Sequence, residues 1–210
     1  MIKNILKKVL PNIYYIMLRD RKEYLVWMLK GSMNPPPHFV KQKTIQKYSK
    51  KYGCKTLIET GTYYGDMVAA QRQYFDKIVS IELSQELYEL CKERFKNDQG
   101  VLLYQGDSSN VLPKIIDSIG ASAVFWLDGH YSSGITAKGE KECPIFEELH
   151  AIFSVRQDEH VVLIDDARCF IGEGDYPTIA GLTKYIKDAD SEYQVEVKND
   201  IIRVYKPQRS

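Results

Sequence analysis

Acidic side chains end most of the short apolar runs in this 210-residue chain. They are Glu59, Glu82, Asp107, Asp128 and the pair Asp165 and Asp166. Carboxylates accept hydrogen bonds from hydroxyl and amide groups, bind divalent cations and can remove a proton from a hydroxyl group. If the apolar runs are parallel strands, their carboxyl ends meet at the edge of the sheet where ligands bind. The pattern therefore predicts one acidic crevice.

A turn with two glycines follows the first of these carboxylates. The segment Glu59-Thr60-Gly61-Thr62-Tyr63-Tyr64-Gly65 comes directly after an apolar run, and a helix is predicted from Asp66. The segment lacks both Gly-x-Gly-x-x-Gly and a Gly-Lys-Ser/Thr ending, which argues against a dinucleotide fingerprint and a phosphate loop. Glycines permit a sharp turn and a close approach of the backbone to a ligand. A nucleotide-type cofactor loop is therefore predicted, with an ordinary strand-to-helix turn as the alternative.

Two further positions suit a nucleoside. Glu82 lies about 20 residues after the glycine turn, the separation at which a carboxylate reaches ribose hydroxyl groups. Asp107 and Ser108 are placed where a carboxylate and a hydroxyl group can bond an adenine amino group. Asp107 can alternatively cap the helix that begins near Ser109.

The segment Leu127-Asp128-Gly129-His130-Tyr131 and the pair Asp165 and Asp166 end two predicted strands. Three carboxylates at neighbouring strand ends repel one another unless a cation or a proton lies among them. A divalent metal is the simplest explanation, and ligation by oxygen alone favours Mg²⁺ or Mn²⁺. We therefore predict Asp128, Asp165 and Asp166 as metal ligands. Asp128 and His130 are the predicted catalytic residues, with a loop-ordering hydrogen bond or a substrate contact as the alternatives for His130.

Apolar periodicity places these residues on alternating strands and helices. Apolar runs at 55–59, 78–82, 101–104, 124–128 and 161–166 predict five strands, with helical patterns between them. Runs at 195–197 and 201–205, joined by the turn Lys198-Asn199-Asp200, predict a β-hairpin. Such units give a parallel sheet with right-handed crossovers. The predicted fold is α/β, a Rossmann-like, mostly parallel seven-stranded sheet with helices on both faces and a C-terminal antiparallel hairpin.

The motifs in this order resemble those of class I S-adenosylmethionine-dependent methyltransferases, over residues 55–205. The resemblance implies a set of residues that bind S-adenosyl-L-methionine: Glu59, Gly61, Thr62, Tyr63, Gly65, Glu82, Asp107, Ser108 and Asp128. The second acidic group resembles that of metal-dependent sugar O-methyltransferases, such as the macrocin O-methyltransferase-like and glycan-biosynthesis enzymes. These enzymes often carry an acidic residue at the position of His130. The implied reaction is metal-assisted methyl transfer to a sugar hydroxyl group of a glycan or glycosylated metabolite.

Two other functions stay open at this point. A metal-dependent catechol or small-phenol O-methyltransferase would use the same residues, and a panel of acceptors is needed to separate the two. A non-catalytic assembly protein would bind the cofactor without turnover. The repulsion among carboxylates at one crevice favours an enzyme over a binding protein.

Composition limits the size and partners of the protein. A 210-residue chain with 44% hydrophobic residues suits one core, and a net charge of +1 argues against a nucleic-acid-binding surface. A carbohydrate or glycosylated small molecule is the expected acceptor. The four cysteines are scattered, without a Cys-x-x-Cys pair, which indicates reduced thiols and a cytoplasmic location.

The N-terminal segment differs from the rest of the chain. Residues 1–37 are predicted to be a helical appendage and a proline-rich connector, followed by a methyltransferase domain at 38–210. Residues 1–17 have apolar side chains at helical spacing with lysines on the other side, and these lysines argue against a signal peptide or membrane span. Packing is the favoured role of this segment, with membrane-surface contact, which would make the protein peripheral to a membrane, or self-association through residues 1–30 as the alternatives.

Overall fold

The computed structural model describes residues 12–32, 34–120, 122–129, 143–155 and 160–208, with side chains described from residue 21 onward. The strands are β1 (Thr56–Thr60), β2 (Lys77–Glu82), β3 (Val101–Gln105), β4 (Ala123–Leu127), β5 (Val161–Ile164), β6 (Gln194–Lys198) and β7 (Ile201–Tyr205). The helices are α1 (Asn12–Leu29), α2 (His38–Tyr52), α3 (Asp66–Gln71), α4 (Gln85–Phe95), α5 (Ser108–Ile115), α6 (Ile145–Ser154) and α7 (Ile179–Ala189).

The strands form one sheet in the order β3-β2-β1-β4-β5-β7-β6. The first five strands of this order are parallel, whereas β7 is antiparallel to both β5 and β6. The predicted seven-stranded α/β fold with a C-terminal hairpin is thereby confirmed. Strand order reverses between β1 and β4, and the crevice at such a switch point is where open α/β sheets bind ligands.

Both faces of the sheet are covered, which explains the continuous apolar runs in the sequence. Alternate residues of β1 enter different core clusters, with Ile58 on one face and Leu57 on the other. All five residues of β1 and all five of β4 are buried. Strands covered on both faces need apolar residues at successive positions.

The C-terminal hairpin brings its turn to the crevice edge. Asn199 and Asp200 have φ values of 52° and 60°, and positive φ at both central residues is the geometry of a two-residue hairpin turn. Ile202 pairs with Ile164 at the end of β5, and Ala167 N donates to Asp200 O at 2.9 Å. The turn therefore packs directly behind the segment that carries Asp165 and Asp166.

Helix α1 contacts α2 through aromatic side chains. The Tyr24 and Phe39 rings have centroids 5.4 Å apart. Among the described residues, no helix has both the length and the apolar character required to cross a bilayer. Residues 1–11 lie outside the described part of the chain, and the predicted surface contact, self-association and domain boundary at residue 37 stay predictions.

Candidate active site

The two glycines of the turn after β1 are required by protein packing. Gly61 has φ 86°, and a Cβ there would overlap the carbonyl oxygen of Asp128. Gly65 has φ 77°, and a Cβ there would lie 2.6 Å from the Phe95 ring. Gly61 thus allows the loop after β1 to pass against the end of β4. The glycine turn and Asp128 are neighbours for this reason.

Glu59 lies beneath the turn. Its side chain is buried, and its carboxyl group accepts a hydrogen bond from the Ser80 hydroxyl. The Ser80 and Thr62 hydroxyl oxygens are 2.6 Å apart, so a buried polar chain joins β1, β2 and the turn. Burial raises the pKa of Glu59 to about 8. Glu59 supports the loop from below, and its predicted contact with the cofactor stays a prediction.

The Glu82 side chain, at the end of β2, forms hydrogen bonds with the backbone of the turn. Its Oε2 accepts a hydrogen bond from Tyr63 N at 2.7 Å, and its Oε1 accepts one from Ser84 N at 2.8 Å. Burial raises the pKa of Glu82, and these backbone donors partly offset the shift. Backbone N–H groups therefore hold the Glu82 carboxylate between the glycine turn and the end of β2, and its predicted contact with the ribose stays a prediction.

Asp107 caps helix α5. Its Oδ1 accepts hydrogen bonds from Ser109 N at 2.9 Å and from the Ser109 hydroxyl at 2.6 Å. This is the alternative that the sequence left open for Asp107. Ser108 is buried, and both residues follow the end of β3, next to the β2 end that carries Glu82. Because both bonds use Oδ1, Oδ2 remains for the predicted adenine contact.

The second acidic group consists of Asp128, Asp165 and Asp166. A lysine from a distant part of the chain lies against it. Lys41 of α2 donates a hydrogen bond to Asp165 Oδ2, and its Nζ lies 3.9 Å from Asp166 Oδ1. The side chain of Asp165 has no exposed surface, and that of Lys41 is 17% exposed. A cation therefore lies among the predicted metal ligands, and it belongs to the protein.

The charged side chains of this group shift one another's pKa values. Desolvation raises the pKa of Asp128 well above its usual range, and the Asp165 carboxylate raises it further. Burial raises the pKa of Asp165 to about 6, with Lys41 acting in the opposite direction. Desolvation alone would lower the pKa of Lys41, but the carboxylates of Asp165 and Asp128 outweigh it and raise the value. Lys41 is therefore an ammonium ion at neutral pH.

The metal that the resemblance implies is not supported by the described residues. Within the described ranges, no group of three His, Cys, Asp or Glu side chains is arranged to hold a metal ion. The Lys41 ammonium bonds Asp165 Oδ2, whereas the buried Asp165 Oδ1 has no hydrogen-bond partner among the described residues. The predicted ligands Asp128, Asp165 and Asp166 thus surround a protein cation. His130 lies outside the described residues, and its predicted catalytic role stays a prediction.

Arg168 ties the acidic group to the hairpin turn. Its Nη1 donates to Asp166 Oδ1 at 2.9 Å and also to Asp200 Oδ2. Its backbone N donates to Asp200 Oδ1 at 2.8 Å. Asp166 has φ 53°, a left-handed conformation that turns the chain sharply out of β5. The sequence predicted a strand to 166, whereas β5 ends at Ile164 and this turn follows.

Sequence reasoning did not find the partly buried Lys41 or the buried Glu148. Lys41 stands at helical spacing with the buried residues Ile45 and Tyr48, and Glu148 stands between Ile145 and Leu149 on the buried face of α6. Burial raises the pKa of Glu148 to about 7. A charged residue within an apolar helix stripe was the available signal, because such a residue must find polar contacts in the interior.

Comparison with known proteins supports the fold. No family model and no curated protein matches the chain. The O-methyltransferase from Bacillus cereus in complex with SAH has a TM-score of 0.58 and 14% identity, covering 98% of this chain and 97% of that chain. TomG from Streptomyces achromogenes, an O-methyltransferase involved in tomaymycin synthesis and solved with SAM, has a TM-score of 0.58 and 14% identity, covering 89% and 87%. The SAH-bound methyltransferase PaMTH1 from Podospora anserina has a TM-score of 0.53 and 16% identity, covering 80% and 78%. At these identities, the likeness shows a shared fold.

Proposed function

We propose that the protein is an S-adenosylmethionine-dependent O-methyltransferase that acts on a sugar hydroxyl group. The observation that carries the proposal is the contact between the glycine turn and the end of β4, where Gly61 packs against Asp128. This contact sets a nucleoside-binding turn beside an acidic group at the switch point of the sheet. Solved methyltransferases of the same fold, two with SAH and one with SAM, support the choice of cofactor.

The turn and Glu82 bind the nucleoside part of the cofactor in this proposal. Glu82 holds Tyr63 N with one oxygen and Ser84 N with the other, which fixes the carboxylate in place before the ligand arrives. A carboxylate fixed in this way loses little conformational entropy when it accepts bonds from ribose hydroxyl groups. Asp107 contacts the adenine amino group through Oδ2.

Asp128 faces the acceptor. It follows β4, remains partly exposed and adjoins the cofactor turn. Asp128 orients the acceptor hydroxyl group and takes its proton as the oxygen attacks the methyl carbon. The carbon–sulfur bond of the sulfonium breaks, the carbon–oxygen bond forms, and S-adenosylhomocysteine leaves with the sulfur lone pair. His130 is proposed to assist at the same hydroxyl group.

Lys41 supplies the positive charge that a divalent ion supplies in the enzymes that the sequence resembles. Its ammonium group contacts Asp165 and lies 3.9 Å from Asp166, so it offsets the repulsion among the carboxylates. We therefore expect methyl transfer to continue in excess EDTA. We also expect Mn²⁺, followed by electron paramagnetic resonance, to bind the Lys41→Met variant more tightly than the wild type. Loss of activity in EDTA, restored by Mg²⁺, would instead establish the metal-dependent mechanism.

Two measurements test the function itself. Titration calorimetry with S-adenosylhomocysteine should show one site per chain, and the site should weaken at least about tenfold in Glu82→Gln. A panel of sugars, glycosides, catechols and phenols with methyl-labelled cofactor should give transfer to a sugar hydroxyl group. Transfer to catechols alone would replace the sugar assignment, and absence of cofactor binding would refute the whole proposal.

A further inference from the structure

A pocket lies between α1, α2 and the β6–β7 hairpin. Its volume is about 340 Å³. It is formed by α1, α2, the β6–β7 turn and β7, and its lining residues are Tyr24, Trp27, Phe39, Val40, Lys43, Thr44, Lys47, Tyr48, Lys198, Asn199 and Arg203. We call it the basic pocket. Its volume lies within the range of small-molecule sites.

The basic pocket has an excess of positive charge. Lys43, Lys47, Lys198 and Arg203 line it, and none of its described lining residues is acidic. Like charges around one cavity repel one another, and a bound anion would relieve this repulsion. The lining therefore favours an anionic ligand.

Arg203 is the buried member of this group. Only 6% of the residue is exposed, and its Nε has no hydrogen-bond partner among the described residues. Its nearest carboxylate oxygen, Glu196 Oε1, is 3.5 Å from Nη1, and Nη2 donates to Lys198 O at 3.1 Å. A buried guanidinium with incomplete hydrogen bonding is costly, and a phosphate group could complete it through paired hydrogen bonds.

Aromatic rings also line the basic pocket. The centroid of the Tyr24 ring is 5.4 Å from that of Phe39 and 6.0 Å from that of Trp27. Partly exposed rings of this kind pack against flat ring systems. The pocket thus combines cationic and aromatic side chains.

The basic pocket adjoins the acidic group along two chain segments. Val40 lines the pocket and precedes Lys41, whose ammonium group contacts Asp165. Asn199 lines the pocket and precedes Asp200, which binds Arg168 next to Asp166. An extended ligand that reached both would place an anionic part in the basic pocket and a hydroxyl group toward Asp128.

We propose that the basic pocket binds the nucleoside diphosphate part of the acceptor, which makes the acceptor a nucleoside diphosphate sugar. The inference rests on the proposed function for the sugar end of the ligand. Arg203, Lys47 and Lys198 bind the phosphates, and the base packs against the rings of Trp27 and Tyr24. Residues 21–30 of the N-terminal appendage then form one wall of the acceptor site.

Trp27 provides a direct binding assay with UDP as the probe. The chain has two tryptophans, and the other, Trp126, is fully buried in the core. UDP should change the fluorescence of the full-length wild type, and Trp27→Phe should remove the signal. The double variant Lys47→Gln/Lys198→Gln should bind UDP at least about tenfold more weakly, because it lacks two charge-assisted contacts. Lys50→Gln, an exposed lysine of α2 outside the lining, should bind UDP like the wild type.

Two further probes identify the part of the ligand that is recognised. Uridine should bind more weakly than UDP because it lacks the phosphates, and inorganic pyrophosphate should bind more weakly because it lacks the base. Equal affinity for pyrophosphate and UDP would overturn the nucleoside assignment. Equal UDP affinity in the wild type and the double lysine variant, or no UDP binding at millimolar concentration, would overturn the pocket itself.

Binding of S-adenosylhomocysteine separates this inference from the proposed function. The double lysine variant should bind S-adenosylhomocysteine as the wild type does, because neither lysine belongs to the proposed cofactor site. UDP binding without S-adenosylhomocysteine binding would refute the proposed methyltransferase function and leave the nucleotide pocket supported. S-adenosylhomocysteine binding without UDP binding would refute only the nucleotide pocket.

Discussion

The glycine turn and the acidic group at β4 and β5 neutralise their carboxylates in different ways. In the turn, Glu59 and Glu82 accept hydrogen bonds from a serine hydroxyl and from backbone N–H groups. In the acidic group, Asp165 and Asp166 face the charged side chains of Lys41 and Arg168. In the turn, the dipoles of hydrogen-bond donors stabilise the carboxyl groups. In the acidic group, the positive charges of other side chains stabilise them.

The difference follows from distance along the chain. Glu82 is 19 residues from Tyr63, so the strand, turn and helix of one unit bring them together. Lys41 is 124 residues from Asp165 and meets it only when α2 packs against the completed sheet. The turn is therefore specified locally, whereas the charge balance of the acidic group depends on the whole fold.

Removing the charge of Lys41 should have the largest effect. Lys41→Met leaves the buried Asp165 carboxylate without its cation, and breaking such a pair costs about 3 kcal/mol of unfolding free energy. Methyl transfer should fall at least about 100-fold, because an electrostatic contact in the site is lost. Urea unfolding and labelled methyl transfer measure the two effects.

Charge and folding can be separated at the same position. Lys41→Arg keeps a cation and should retain more stability and more activity than Lys41→Met. Lys50→Met, at an exposed position of the same helix, should change the unfolding free energy by less than about 0.5 kcal/mol. Lys41→Met with wild-type activity would remove Lys41 from the proposed mechanism.

Gly61→Ala tests the packing of the turn against β4. The added Cβ would overlap the Asp128 carbonyl oxygen at a φ of 86°, so both strain and collision oppose it. We expect a loss of at least about 2 kcal/mol of unfolding free energy and weaker S-adenosylhomocysteine binding. Gly53→Ala is the matched control, because Gly53 has φ 68° and no atom within 4 Å of the added Cβ. It should lose about 1 kcal/mol from the backbone conformation alone. Equal losses at the two glycines would contradict the close packing.

The features that the sequence predicted correctly are those that are specified locally. Apolar runs, glycines and the Asn-Asp hairpin turn are local signals, and they predicted the fold and the residues that end each strand. The same signals could not show that Glu82 also holds the backbone of its own turn, or that Asp166 leaves β5 in a left-handed conformation. The cation among the aspartates was predicted as a metal because three carboxylates at neighbouring strand ends repel one another and oxygen ligands suit a divalent ion. Its identity as Lys41 depends on how α2 packs against the sheet.

The buried carboxyl groups should make stability fall as pH rises. The pKa of Glu59 is raised to about 8, so the folded state keeps a proton that the unfolded chain releases near pH 4.5. Its stabilising contribution is complete below about pH 4.5 and is lost as pH rises toward 8, with a slope of about 1.4 kcal/mol per pH unit. Glu59→Gln should flatten the curve of unfolding free energy against pH over this window.

The matched control for this curve is Glu93→Gln on the exposed face of α4, which should leave the slope as it is in the wild type. Glu148→Gln should reduce the slope between about pH 4.5 and 7, because burial raises the pKa of Glu148 to about 7. A wild-type slope in Glu59→Gln would show that Glu59 is ionised in the folded protein. The Glu59 carboxylate would then be a buried charge, as the Asp165 carboxylate is in the acidic group. The two regions would no longer differ in this respect.

Asp107 gives the smallest expected effect and separates its two roles. Asp107→Ala removes the cap of α5 and should cost about 1 kcal/mol of unfolding free energy. Asp107→Ser keeps a side-chain oxygen that can cap the helix but removes the carboxylate. If Oδ2 contacts the adenine, Asp107→Ser should retain near wild-type stability and bind S-adenosylhomocysteine about tenfold more weakly. Unchanged binding in Asp107→Ser would leave capping as its role, and Glu82 would then be the strand-end carboxylate through which the turn recognises the nucleoside.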